Sequence, residues 1–244
     1  MIRFYLRFFY YEIISLLLFF KLRNKNYHSY QISFSHYDNL FNKLCIKYGT
    51  DKGFDKFQLT EFYGARGEKS EFCYPHIYSK FYNDLFFPVR KNIKLVFECG
   101  IGSKTRKKKF VPGASLKVWR DFFPNAKIFG ADINKKLLFT SKNIKTFYVD
   151  QTDKKSIQNL WKNVDRKQFD IIVDDGLHTH SANILLFENS IKFLRQGGIY
   201  IIEDVNIQSV AKYKKYFYKK NFKFELINFN NLNYSNHFLI KITK

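Results

Sequence analysis

Five apolar runs, each stopping at an acidic residue, constrain this chain more than any other feature. They are IKLVFE (93–98), KIFGAD (127–132), IKTFYV (144–149, with Asp150 next), FDIIVD (169–174) and IYIIED (199–204). Short runs of mostly apolar residues like these fit strands covered on both faces. Helical spacing fills the gaps, at about 115–123, 154–163, 181–194 and 206–219. Strands alternating with helices predict a parallel sheet with helices packed on both sides. The stretch SANILLFENSIKFLRQGG opens on a serine cap and stops at Gly197, as a helix does. Near the end, FKFELINF and HFLIKITK are joined by the Asn-rich NNLNYSN and read as a closing antiparallel hairpin. The expected fold is α/β and Rossmann-like: a mostly parallel seven-stranded sheet with a C-terminal hairpin and an N-terminal helical extension.

Three regions follow: an apolar and basic N-terminal segment (1–35), a helical preface with a lid (36–92) and the sheet domain (93–244). The first begins MIRFYLRFFYYEIISLLLFFKLRNK. Its apolar core, Phe8 to Phe20, is too short to span ~30 Å of hydrocarbon comfortably, and Glu12 interrupts it. No small-residue cleavage site follows, which argues against a signal peptide. Apolar side chains fall on every helical face. The segment reads either as a helix docked on a partner or a membrane surface, with Arg3, Arg7, Lys21 and Arg23 toward lipid phosphates, or as a plain packing helix. Left uncovered it would expose apolar surface, which predicts a homo-oligomer.

Lys and Arg number 42 against 21 Asp and Glu, a net charge of +21. That balance suits nucleic acid, anionic lipid or a phosphorylated substrate, but the lysines are scattered among apolar residues, as a compositional bias would scatter them. The cysteines, Cys45, Cys73 and Cys99, are odd in number and lack metal-ligand spacing, which fits a reduced, cytoplasmic setting.

Chemistry concentrates at the strand tips, where open parallel sheets bind ligands. The first strand ends FECGIG: Gly100 and Gly102 let the backbone approach a ligand, and Glu98 adds an acceptor. A nicotinamide site would want a third glycine where Thr105 stands, and a helix at once rather than the basic loop SKTRKKKFVPGAS. At the second tip, Asp132 can accept both hydroxyls of a ribose. The third ends VDQTD, with Asp150 near where an adenine would lie and Asp153 read as a helix cap. Neighbouring fourth and fifth strands, ~4.8 Å apart, would set Asp174 and Asp175 beside Glu203 and Asp204. Four carboxylates so close call for a cation, and oxygen ligands suit Mg²⁺ or Mn²⁺. His178, on the loop above, can take a proton from a hydroxyl near pH 7. His180 reads as an ordinary loop histidine.

In this order and spacing, ECGIG, Asp132, VDQTD, DDGLH and IIEDV resemble class I S-adenosylmethionine-dependent methyltransferases. More narrowly they are similar to the metal-dependent sugar O-methyltransferases of the macrocin and mycinamicin type. The likeness runs over roughly 45–206 and includes YGTDKG and GASLKVWRDFFPNAKIFGADI. It implies an O-methyltransferase using S-adenosylmethionine and Mg²⁺ or Mn²⁺. Glu98, Gly100 and Gly102 would line the donor, with Asp132 on its ribose, Asp150 on its adenine end and Asp174 beside it or behind the metal. Asp175, Glu203 and Asp204 would ligate the ion and His178 would be the general base. Tyr48, Thr50, Asp51 and Lys52 would form a lid over the donor, while His76 and Tyr78 would face the acceptor. The implied acceptor is a sugar hydroxyl on a nucleotide-activated sugar or a surface-polysaccharide precursor. A capsule phosphoramidate or phosphate oxygen is the alternative. A nucleic-acid methyltransferase or binding protein is the alternative of another class; base methylation would want an Asn/Asp-Pro-Pro-aromatic motif where DDGLH stands, so no specific nucleic acid is expected. The enzyme is expected in the cytoplasm, with peripheral contact at the inner membrane face through its N-terminal segment.

Overall fold

The computed structural model describes residues 27–30, 38–53, 78–102, 111–229 and 238–244. The strands are β1 (Tyr27–Tyr30), β2 (Leu95–Cys99), β3 (Lys127–Asp132), β4 (Thr140–Ser141), β5 (Ile144–Tyr148), β6 (Phe169–Asp174), β7 (Leu194–Val205), β8 (Phe224–Phe229) and β9 (Phe238–Thr243). They form one sheet in the order β1-β8-β9-β7-β6-β2-β3-β5-β4. Its seven inner strands are the five acid-tipped runs plus the expected hairpin. β2, β3, β5, β6 and β7 run parallel, and β9 inserts antiparallel between β7 and β8. Two short strands extend the expected set: β4 antiparallel on β5, and β1 parallel on β8. β1 comes from the N-terminal segment, the rest of which lies outside the described residues.

The helices are α1 (Leu40–Tyr48), α2 (Ser79–Phe86), α3 (Ala114–Phe122), α4 (Lys154–Val164), α5 (His180–Ser190) and α6 (Val210–Lys219). In α4, Ile157, Leu160, Trp161 and Val164 recur at helical spacing and are buried, and Asp153 caps the helix by accepting from the Lys155 and Ser156 amides. Core side chains line both faces of the sheet. One face holds Phe97, Trp161, Phe169 and Phe187; the other holds Phe41, Tyr82, Trp119 and Phe122. The second cluster fastens α1 and α2 onto α3, with Phe41 and Trp119 rings 5.0 Å apart and Tyr82 edge-on to Trp119 at 4.9 Å.

Two expectations on the helix after β6 change. Its cap is Thr179, which accepts from the Ala182 amide, so the helix starts at His180 rather than beyond Ser181. It ends at Ser190, followed by a short 3-10 turn, and Gly197 lies inside β7 instead of ending a helix. There Gly197 has φ 69° and the β6–β7 register shifts between Phe169 and Ile171. The glycine serves a bulge, where a left-handed residue is needed. Among the described residues no helix is long and apolar enough to cross a membrane.

Candidate active site

The carboxyl ends of β2, β6 and β7 meet in a pocket of buried acids. Gly100, directly after β2, has φ 86°, and a Cβ there would stand 1.9 Å from the Asp175 carbonyl oxygen. Only glycine lets the two loops approach so closely. The Asp175 amide in turn donates to the Cys99 carbonyl at 2.8 Å. Glu98 is fully buried, and its Oε2 accepts from Ser115 Oγ (2.8 Å) and Trp119 Nε1 (3.0 Å).

Lys52, expected in a lid, reaches into this pocket. Its side chain is 3% exposed, and Nζ lies 2.6 Å from Asp175 Oδ2 and 3.2 Å from Glu98 Oε1 while also donating to Glu203 Oε2. Thr50 is buried in the same turn, which follows the left-handed Gly49 at the end of α1. Glu203 accepts a second hydrogen bond from the Tyr82 hydroxyl. Burial pushes the Glu98, Asp175 and Glu203 carboxyls up, with Lys52 pulling the other way. Burial alone would lower the Lys52 ammonium, but Asp175, Glu203 and Glu98 outweigh it and hold it well above its ordinary value.

On the other side of Asp175 the arrangement opens. His178 Nε2 lies 3.9 Å from Asp175 Oδ1 and 3.6 Å from Asp204 Oδ2, while its Nδ1 is buried without a hydrogen-bond partner. Donor atoms of Asp175, His178 and Asp204 all fall within 4.8 Å of one another, a spacing that can hold a metal ion. Asp204 Oδ1 accepts from the Tyr78 hydroxyl at 2.5 Å. Both His178 (φ 57°) and Asp204 (φ 54°) are held in the left-handed region, which is costly for residues with a Cβ. Two carboxylates with an imidazole beside them form a group that could hold a divalent cation. Glu203 lies outside that trio, turned toward Lys52 and Tyr82. Tyr78 is buried on Asp204, and His76 lies outside the described residues.

The remaining predicted residues sit along the β6–β2–β3–β5 edge. Asp132, 7% exposed, accepts from the Ile101 amide at 3.0 Å and the Asn134 amide at 2.8 Å, so it fixes the glycine loop that precedes Gly102. Asp150 accepts from the Thr152 amide and hydroxyl at 2.8 and 2.6 Å, contacts that draw its carboxyl below the usual range. Asp174 is fully buried, and its oxygens accept from Gln151 Nε2 (2.7 Å) and Asn183 Nδ2 (2.8 Å). Burial raises it to about 6 against those hydrogen bonds. Gln151 also accepts from the Leu177 amide at 2.8 Å, tying the β5–α4 turn to the loop that carries His178. A Cβ on Gly176 would stand 2.1 Å from Gln151 Oε1, so a larger residue there would push the Gln151 side chain aside.

Sequence reasoning missed Tyr82, Ser115, Trp119, Gln151 and Asn183 as parts of this site. Gln151 sits in the VDQTD segment already singled out, between two acids that drew attention from it.

The strand order, with acids at its carboxyl edge and an antiparallel seventh strand, is the class I S-adenosylmethionine-dependent methyltransferase fold. Among solved structures it is similar to the MycE methyltransferase of the mycinamycin biosynthetic pathway in complex with Mg and SAH, with a TM-score of 0.60 and 21% identity, over 84% of this chain and 55% of that one. More particularly, the sequence is similar to sugar O-methyltransferases. Mycinamicin VI 2''-O-methyltransferase of Micromonospora griseorubida is 31% identical over 135 residues, 55% of this chain and 33% of the relative. Demethylmacrocin O-methyltransferase of Streptomyces fradiae is 32% identical over 130 residues, 53% of this chain and 32% of the relative. The chain thus matches about a third of the length of these curated relatives. No family profile matches it.

Proposed function

We propose that the protein is an S-adenosylmethionine-dependent, divalent-metal-assisted O-methyltransferase acting on a sugar hydroxyl. The observation that carries this reading is the meeting of Asp175, His178 and Asp204 at the β6 and β7 tips, with donor atoms within 4.8 Å. Its support from outside the chain is the likeness to sugar O-methyltransferases of the mycinamicin and macrocin type and, in fold, to the MycE methyltransferase solved with Mg and SAH. When bound, the donor would supply an electrophilic methyl and the ion would make a nearby hydroxyl more acidic. The chain supplies the rest. Gly100, Gly102, Asp132 and Asp150 would line the donor along the β2–β5 edge. Asp175 and Asp204 would hold the ion, joined by Glu203 where it is released from Lys52. His178 would accept the hydroxyl proton at Nε2 as the oxygen takes the methyl from sulfur. No acid of the site need approach the sulfonium, whose charge is lost in the reaction.

The acceptor class we favour is a nucleotide-activated sugar or a surface-polysaccharide precursor. A labelled-methyl assay over a panel of nucleotide sugars tests this. Transfer is expected with Mg²⁺ or Mn²⁺, lost on EDTA and restored by adding the ion back. Transfer that survives thorough chelation would remove the metal from the mechanism, and labelling of RNA but no sugar would replace the acceptor class.

A further inference from the structure

Three carboxylates from three strand tips converge on one ammonium, and this geometry points to a role for Lys52 beyond a lid. Glu98 closes β2, Asp175 follows β6 and Glu203 stands near the end of β7, yet all three face Lys52 Nζ. The side chain is almost wholly enclosed, so solvent cannot screen these contacts. Asp175 is the shared member: Oδ2 is tied to Lys52 at 2.6 Å while Oδ1 faces His178 at 3.9 Å. We propose that Lys52 is a positioning residue that holds the place of a cation and competes with a divalent ion for Asp175 and Glu203.

This rests on the metal-assisted reading above. A divalent ion held by Asp175 and Asp204 beside His178 must draw on a carboxylate that already serves the ammonium. Two positive charges a few ångströms apart repel, so each weakens the hold of the other on Asp175. Glu203 can turn to the ion only by leaving Lys52. The turn 49–53 is thereby coupled to occupancy of the ion site: it is anchored when Lys52 holds the acids and loosened when they are drawn away. A lysine that only filled space would show no such coupling.

Titration with Mn²⁺, followed by electron paramagnetic resonance, reads the competition directly on the full chain. Lys52→Met removes the charge and keeps most of the apolar stem; its Mn²⁺ affinity is expected to rise at least about tenfold over the unaltered protein. Lys52→Arg keeps the charge and is expected to stay within about threefold. Unchanged or weaker binding by folded Lys52→Met overturns the proposal. In the unaltered protein, amide exchange over residues 49–53 is expected to speed at least about threefold when Mn²⁺ is added, and no change there overturns it too, even where Lys52→Met fails to fold. An unaltered chain that binds no Mn²⁺ refutes the metal-assisted reading and this proposal together. Binding by the unaltered chain that is indifferent to both Lys52 variants refutes this proposal alone.

Discussion

Glu98 and Glu203 on one side of Asp175, and His178 and Asp204 on the other, are handled in opposite ways. The first pair is enclosed and answered from within: Glu98 by Ser115, Trp119 and Lys52, and Glu203 by Tyr82 and Lys52. The second pair is held in left-handed backbone, and the imidazole keeps a buried nitrogen with no hydrogen-bond partner. Glu98 Oε1, like His178 Nδ1, makes no hydrogen bond, but it is ion-paired with Lys52 at 3.2 Å; the left-handed backbone under His178 and Asp204 is what sets the second pair apart, and strain of that kind marks a place built for something else. Asp175 belongs to both groups and links them.

Substitutions on the two sides should therefore fail differently. The largest effect is expected at His178. His178→Ala should lower methyl transfer by roughly 10²–10⁴-fold while donor binding stays near normal, because a general base acts in the chemical step. Turnover close to that of the unaltered protein would remove His178 from that role. Next comes a matched pair. Asp204→Asn should weaken Mn²⁺ binding by about 100-fold or more, beyond what loss of a supporting contact costs. Glu98→Gln should leave ion binding within about fivefold and instead cost roughly 1–3 kcal/mol of stability in thermal melts. Equal loss of ion affinity in both variants would erase the distinction between the two sides.

Asp174 supplies the pH test. Its carboxyl ionises near 3.8 when unfolded and near 6 in the folded chain, raised by burial. Between those values the folded state binds the extra proton, so stability falls as pH rises through the window. The accumulated loss is roughly 3 kcal/mol, and it should be missing from Asp174→Asn. Melting both proteins in EDTA from pH 4 to 7 checks it; parallel curves would mean that Asp174 titrates normally. The smallest effect is expected at Gln151. Gln151→Ala removes a donor to Asp174 and an acceptor for Leu177, at a cost of roughly 1–3 kcal/mol in denaturant unfolding.

The sheet and the acids at its tips were legible in the sequence because a buried strand imposes a continuous apolar run, and an acid ending that run stands out. The Asp153 cap was legible for a similar reason, since capping is decided within a few residues. The partition of the acids was not. Successive residues of a strand point to opposite faces, so Glu203 and Asp204 part company. Asp204 sits where the β7–β9 register shifts, between Ile202 and Val205, and its left-handed backbone aims it at His178. Such a bulge leaves no mark in an apolar run. Tyr82, and the contact of Lys52 with the acids, were hidden for another reason: the two side chains lie 121 and 151 residues from Glu203 along the chain. The glycines at 197 and 198 misled because a helix stop and a strand bulge call for the same residue.

One consequence of the sheet concerns its margins. Among the described residues the outermost strands are β1, with four residues, and β4, with two. An unpaired strand is a template on which another chain can build, and its hazard grows with its length. Among the described residues the long hydrophobic strands are all interior, and the two border strands offer little edge on which a foreign ladder could form.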